Sequence, residues 1–321
     1  MSGGARSVWK WLQLALTIGV VGFAGWYLWK QWNVATDNGL EFDFRFGWLA
    51  AASAVCLLTF AVLIETWRRV LQQLGSHLSF GAAARVWFVS NLGKYVPGRI
   101  WAVTTMAMMA GEYGVTVGVV GASSAVLMAA NVATGFSVVL LTSVGTVQRL
   151  AGSVAAVVAV TISLFVLLFA TPWIATHWNR LAKRFHRAQL TVSIPPTAIL
   201  VAIAGTTVSW FLYGLAFMLL VRSIIGPVAE PYTAFVTANA AAYLVGYLMI
   251  IAPAGIGFRE VALATLLPAL SIATAPQAAV ITIVSRLWLT VLEIVPSLAA
   301  LAARRRRLEA VSPSEAGSRS G

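Results

Sequence analysis

The sequence predicts an all-α integral membrane protein: a polytopic helix bundle of about six full spans plus two re-entrant helical hairpins, or eight spans. Three observations predict it. Of the 321 residues, 60% are hydrophobic and only 10% are charged, against about 25% charged in an ordinary soluble domain. Charge-free runs are long: 25 residues in Leu150–Ile174, 25 in Thr197–Val221 and 33 in Val115–Val147, where a spanning helix needs about 20. The runs also fail to alternate polar and apolar residues as barrel strands do. The helix is the other way to satisfy every backbone group in lipid.

The first span, Trp11–Leu28, follows Arg6 and Lys10. It reads as a retained helix and not a cleaved signal, because it is long, rich in Trp and lacks a small-residue cleavage site. Trp26, Trp29 and Trp32 cluster at its far end, the depth that amphipathic rings prefer. The second span runs from about Gly47 to Thr66. The third lies in Val115–Val147, the fourth in Leu150–Ile174, the fifth in Thr197–Val221 and the last in about Gln277–Ala303. The one cysteine, Cys56, sits in an apolar run. It cannot form an internal disulfide or a metal cluster, and it reads as a small core residue.

The net charge is +12. In a soluble protein that would suggest nucleic acid. Here the basic residues sit at helix ends, so no nucleic-acid partner is expected and the charge reports orientation. Fourteen of the 22 Lys and Arg lie on one set of loops and termini, four on the alternate loops and four inside hydrophobic segments. That asymmetry predicts both termini in the cytoplasm of a cell-membrane protein. Residues 1–303 form the membrane domain. Residues 304–321, with Arg304–Arg307, read as a basic, disordered cytoplasmic tail and stop-transfer anchor.

Orientation then constrains what lies between the spans. The stretch Gly81–Ala110 must start and end inside, and its arms, about Gly81–Gly93 and Pro97–Met109, are too short to span. A re-entrant hairpin fits. The stretch Pro231–Leu270 must start and end outside. It is either a second hairpin or two full crossings, because Tyr232–Ala252 is long enough to cross. The hairpin option makes an inverted repeat of two halves, about 40–150 and 190–303. Short, Pro/Gly-interrupted segments at matching places in two halves point to a transporter's binding site.

Two such segments carry charge. The first is Asn91-Leu-Gly-Lys-Tyr-Val-Pro-Gly-Arg-Ile-Trp101. Gly93, Pro97 and Gly98 break the helix, and freed N–H groups at a helix start near Gly98 suit an anion. Lys94 and Arg99 add positive charge, with Asn91, Tyr95 and Trp101 beside them. Arg holds a phosphate through two bonds and Lys acts as a point charge. Snorkelling of Lys94 and Arg99 to the interface is the structural alternative.

The second is Pro253-Ala-Gly-Ile-Gly-Phe-Arg-Glu260. Pro253, Gly255 and Gly257 break the chain before Arg259 and Glu260 at a helix start, where Glu260 favours the positive helix end. A structural ion pair is the alternative there. Arg286 and Glu293 share one face of the last span, about 10 Å apart in rise, and are expected to meet partners on other helices, Arg286 with Glu260. Glu112 could pair with Arg99, and Glu65 with Arg68 and Arg69. Asn131 and Asn239 read as interhelical hydrogen-bond glue. No catalytic residue, metal ligand or cofactor motif is expected: His77, His177 and His186 form no catalytic or metal-spaced set.

Both segments resemble signatures of the lysylphosphatidylglycerol synthase transmembrane (flippase-domain) family: Lys-Tyr-[Ile/Val]-Pro-Gly-[Lys/Arg]-[Ile/Val]-Trp, then Pro-Gly-Gly-[Ile/Leu]-Gly-x-Arg-Glu. The resemblance covers roughly residues 10–303. Ala254 departs from it, standing where the family usually has Gly. The resemblance implies a stand-alone member without the soluble aminoacyltransferase domain. It implies translocation of a lipid with a phosphate-containing head group, a modified phospholipid or a polyprenyl-phosphate-linked sugar, and membrane lipids with anionic head groups as partners. Two other readings remain: a transferase acting on a lipid-linked substrate, with Glu260 or Glu112 as acid or base, and a non-catalytic partner of an envelope-synthesis enzyme. The sequence carries no signal for oligomeric state.

Overall fold

The computed structural model describes residues 45–95, 100–143, 158–166, 168–170, 173, 192–249, 255 and 257–316; at 94, 95, 100, 101 and 303–316 it describes the backbone alone. The first predicted span and the middle of the first charged segment lie outside these residues. Among the described residues every regular element is helical. They are α1 (Phe46–Gln73), α2 (Phe80–Asn91), a 3-10 turn (Leu92–Tyr95), α3 (Ile100–Gly111), α4 (Val117–Thr142), α5 (Pro196–Ile225), α6 (Tyr232–Leu248), α7 (Phe258–Ala269) and α8 (Ala275–Ala316). Residues 158–166 and 168–170, inside the predicted fourth span, are also helical.

Four of these helices are long and apolar enough to cross a membrane: α1, α4, α5 and the Ala275–Ala302 part of α8. Their starts follow local chemistry. The Ser79 hydroxyl accepts from the Ala82 N–H at the head of α2, and Thr116 does the same for Val119 at the head of α4, filling donors that a helix start leaves open. Pro196 sits in the first turn of α5, where its missing N–H costs nothing.

The element order is long, short, short, long, twice over. The short helices α2, α3 and α7 have 12 residues each, about 18 Å of rise. The hydrocarbon core is about 30 Å thick. Each of these three helices is shorter than that. In each short pair the two arms pack on one another, α2 with α3 and α6 with α7.

The backbone of α8 stays helical through Arg304–Arg307 to Ala316. The physical reason is propagation: once a helix is nucleated each added residue gains a hydrogen bond, and Arg, Leu, Glu and Ala at 303–310 are strong helix formers.

Among the described residues the most extensive helix contact joins α1 to α5. Gly205 allows it: a Cβ there would overlap the side chain of Thr66. Small residues let membrane helices approach closely, and hydroxyls and ring N–H groups join them. Trp67 Nε1 donates to Ser123 Oγ across α1 and α4 at 3.1 Å. Thr134 Oγ1 lies 3.0 Å from Thr206 Oγ1 across α4 and α5, and Trp210 Nε1 donates to Thr134 Oγ1 at 3.2 Å and to the Asn131 carbonyl at 3.1 Å. Asn131 thus serves as interhelical glue through its backbone. Asn239 is buried on α6.

Gly205→Ala is expected to cost about 1–3 kcal/mol as an overpacked contact, read as a lower apparent melting temperature in detergent. Adding Thr66→Ala should recover only part of the loss, because Thr66 Cβ itself lies 2.7 Å from the new atom.

Candidate functional site

The second charged segment folds into a turn that only glycine permits. Gly255 has φ +66°, and a Cβ on it would lie 2.5 Å from the carbonyl oxygen of Gly246 on α6. A Cβ on Gly246 would in turn lie 2.8 Å from Arg259 Cβ. The C-terminal end of α6 and the start of α7 therefore touch backbone to backbone. Gly257, at φ +89°, is the N-cap of α7. Its N–H donates to Glu260 Oε2 at 2.7 Å, one half of a capping box. The residues that turn the chain thus also fix the carboxylate.

The charged pair at this helix start points inward. Arg259 is 6% exposed and Glu260 is 4% exposed. The second Glu260 oxygen, Oε1, is buried, accepts no hydrogen bond among the described residues and lies 3.5 Å from Arg286 Nη1 on α8. Arg259 interacts electrostatically with Glu260, Arg286, Glu293 and Tyr243. Tyr213 on α5 and Cys56 on α1 feel the charges of Glu293 and Arg259. Five helices therefore converge on a quartet of two arginines and two glutamates, with two tyrosines and a thiol around it. Charges this deep in an apolar bundle are held in place by one another, since an isolated ion there is very costly.

Helix α8 carries the quartet's neighbours to the other short pair. Trp288 Nε1 donates to Ser53 Oγ on α1 at 2.9 Å. The Ser297 hydroxyl donates to the Phe88 carbonyl on α2 at 2.8 Å. Phe60 on α1 packs edge-on against both Phe88 and Tyr213. The 3-10 turn after α2 also packs on α8. One helix thus touches both helical hairpins, with an aromatic and aliphatic cluster around Cys56, Phe60 and Leu292 between them.

The sequence-predicted residues divide accordingly. Arg259, Glu260 and Arg286 come together, with Gly255 and Gly257 shaping the turn that presents them. Asn91 closes α2 and is half-buried, and Gly93 lies on the 3-10 turn. Lys94 and Tyr95 are placed on that turn and Trp101 in the first turn of α3 by backbone alone. Pro97, Gly98, Arg99 and Pro253 lie outside the described residues, as does the pairing of Glu112 with Arg99. Glu65 binds Arg68 at 2.7 Å and Arg69 at 2.8 Å, an ion pair at the end of α1 away from the quartet.

Four members of the cluster, Glu293, Tyr243, Tyr213 and Cys56, were not among the predicted site residues. Glu293 carried the signal that could have found it, an ionisable group inside an apolar span. Tyr243 had a weaker one: it stacks on Tyr247 one turn later and packs edge-on against Trp210, contacts that its spacing from Tyr247 alone suggests.

A family model described as the lysylphosphatidylglycerol synthase TM region matches residues 10–296. No curated protein matches the chain.

Proposed function

Because the chain belongs to the lysylphosphatidylglycerol synthase TM-region family, we propose that it moves a lipid with a phosphate-containing head group between the leaflets of the cell membrane. The observation that carries this reading is the buried Arg259 at the start of α7, with the half-buried Arg286 of α8 against its neighbour Glu260, inside a membrane bundle. Arginines match phosphate geometry, and an ionisable group inside a membrane bundle marks a substrate path by default. Broken helices lining a midplane site are how transporters expose backbone and charge without exposing either to lipid.

In this reading the two short pairs are re-entrant hairpins that enter from opposite faces, α2 and α3 from the cytoplasm and α6 and α7 from outside, with both termini cytoplasmic. Lys94 and Arg99 receive the head group at the cytoplasmic mouth, and Arg259 with Arg286 hold it deeper while the acyl tails stay in lipid. A transferase role for Glu260 is less well supported. One of its oxygens accepts from the Gly257 N–H and the other faces Arg286, whereas an acid or base must reach the reacting atoms.

The test is reconstitution of the purified protein in vesicles holding fluorescent lipids of several head groups, with flip read as the fraction reached by a membrane-impermeant quencher. At least one phosphate-bearing lipid should flip tenfold or more faster than in protein-free vesicles, and Arg259→Ala should abolish the difference. Rates equal to protein-free vesicles across the whole panel would reject the reading.

A further inference from the structure

Where α1 begins and α5 finishes, the bundle carries two arginines and a tryptophan. Arg45 is the N-cap of α1, and its N–H donates to the Ser223 carbonyl in the last turn of α5 at 3.0 Å. Its guanidinium lies against Gly226, the residue after α5: a Cβ there would sit 3.6 Å from Arg45 Nη2. Arg222, one turn earlier on α5, holds its guanidinium carbon 5.8 Å from the centre of the Trp48 ring on α1. Both arginines thus bridge the two helices at this end.

Helix-end chemistry disfavours this arrangement when nothing is bound. A helix start favours Asp, Asn or Ser at the N-cap and carboxylates in the first turn. Here the N-cap is a cation with no side-chain capping bond, and the first turn of α1 holds no acidic residue. An arginine at a helix end can spend its donors on the last carbonyls. Arg222 Nε instead is buried and donates to nothing among the described residues. Trp48 holds the guanidinium by its π face, a contact that uses no N–H group. With Nε enclosed, the Nη end of this half-buried residue is the part that can reach a ligand. Arg45 holds other partners as well, so here it contributes charge and Arg222 contributes donors. Of the acidic residues near by in the chain, Glu230 is half-buried on the α5–α6 connection. Asp37, Glu41 and Asp43 precede Arg45 and lie outside the described residues. None of the ion pairs among the described residues involves Arg222.

Position selects what carries the anion. Both α1 and α5 are long and apolar enough to cross a membrane, so their ends lie near the membrane–water boundary, the depth that Trp prefers. Trp48 is 37% exposed and Phe46 77% exposed, so apolar surface continues beside the arginines. Trp48 is about 12 Å of rise from Cys56 on α1, and Arg222 about 14 Å from Tyr213 on α5. The cluster is therefore separate from the one around Arg259.

We infer that Arg222 and Arg45, with Trp48, form a head-group site for an anionic phospholipid lying beside the bundle. The Arg222 Nη groups donate to its phosphate oxygens, Arg45 adds charge, and Trp48 fixes the plane of the donors. A choline head group brings its own cation towards two arginines and is disfavoured. The site goes beyond the lipid-moving reading and does not depend on it.

The test uses the full chain in micelles with phosphatidylglycerol or phosphatidylcholine, each carrying a photoreactive diazirine close to the head group. After irradiation, peptide mass spectrometry locates the adducts. In the wild type, phosphatidylglycerol should label 45–52 and 219–229 about tenfold more than phosphatidylcholine does, since like charges brought together are costly. Arg222→Ala should lower that labelling about tenfold, the loss expected for charged hydrogen bonds. Excess inorganic phosphate should leave it in place. The wild-type comparison needs no variant to fold. Equal labelling by the two lipids, or none at these segments, overturns the inference and leaves the lipid-moving reading to its own assay. Labelling abolished by inorganic phosphate shows a site for soluble anions and overturns the assignment to lipid. Unchanged labelling of a folded Arg222→Ala variant overturns the assignment to Arg222.

Discussion

Arg286→Met is expected to destabilise the protein by about 3–5 kcal/mol, the usual cost of leaving one buried partner of an ion pair without the other. Its Nη1 is 3.5 Å from Glu260 Oε1, which accepts no hydrogen bond among the described residues. The variant strips Glu260 of its nearest cation while Glu260 stays 4% exposed. The second variant separates stability from function. Glu260→Gln keeps an amide oxygen that can accept from the Gly257 N–H, so the turn before α7 survives. The double variant Arg286→Met/Glu260→Gln should therefore recover most of the lost melting temperature, since replacing both members of a buried pair is often near neutral. It should not recover lipid movement. Recovery of both together would show that the pair only holds the bundle. A double variant no more stable than Arg286→Met would show that the pair is not coupled.

Gly255→Val is the second large effect. The residue sits at φ +66°, a conformation that costs an L-residue roughly 1–2 kcal/mol, and more for a β-branched one. Its Cβ would lie 2.5 Å from the Gly246 carbonyl oxygen and 2.7 Å from the carbonyl carbon. Backbone cannot swing aside as a side chain can, so α6 and the start of α7 must separate. That displaces Arg259 and Glu260 together. The expected result is loss of lipid movement by at least tenfold, with faster amide exchange confined to 240–262 while α1, α4 and α5 keep their protection. Wild-type exchange around 240–262 would show that the hairpin absorbs the change.

How far the sequence reaches is clear from particular residues. The spans of α4 and α5 were legible because charge-free runs of 33 and 25 residues have few other uses in a chain, and the end of α2 and the start of α7 because Gly and Pro punctuate them. The pairing of Arg286 with Glu260 was legible from chemistry alone: two buried opposite charges seek each other. Glu293 and Tyr243 were not picked out as site residues. What sets α6 and α8 beside α7 is helix packing, which no local pattern encodes. The end of α6 was not legible. Apolar residues continue past Leu248 to Ala252, so hydropathy saw a span, while the helix itself stops at Leu248.

The balanced quartet also has an electrical meaning. A charge moved across a membrane does work against the resting voltage, about 2.3 kcal/mol per elementary charge for each 100 mV. Arg259, Glu260, Arg286 and Glu293 together sum to zero. Their joint displacement through the field therefore moves no net formal charge, and the four by themselves give the membrane potential no hold on the hairpin.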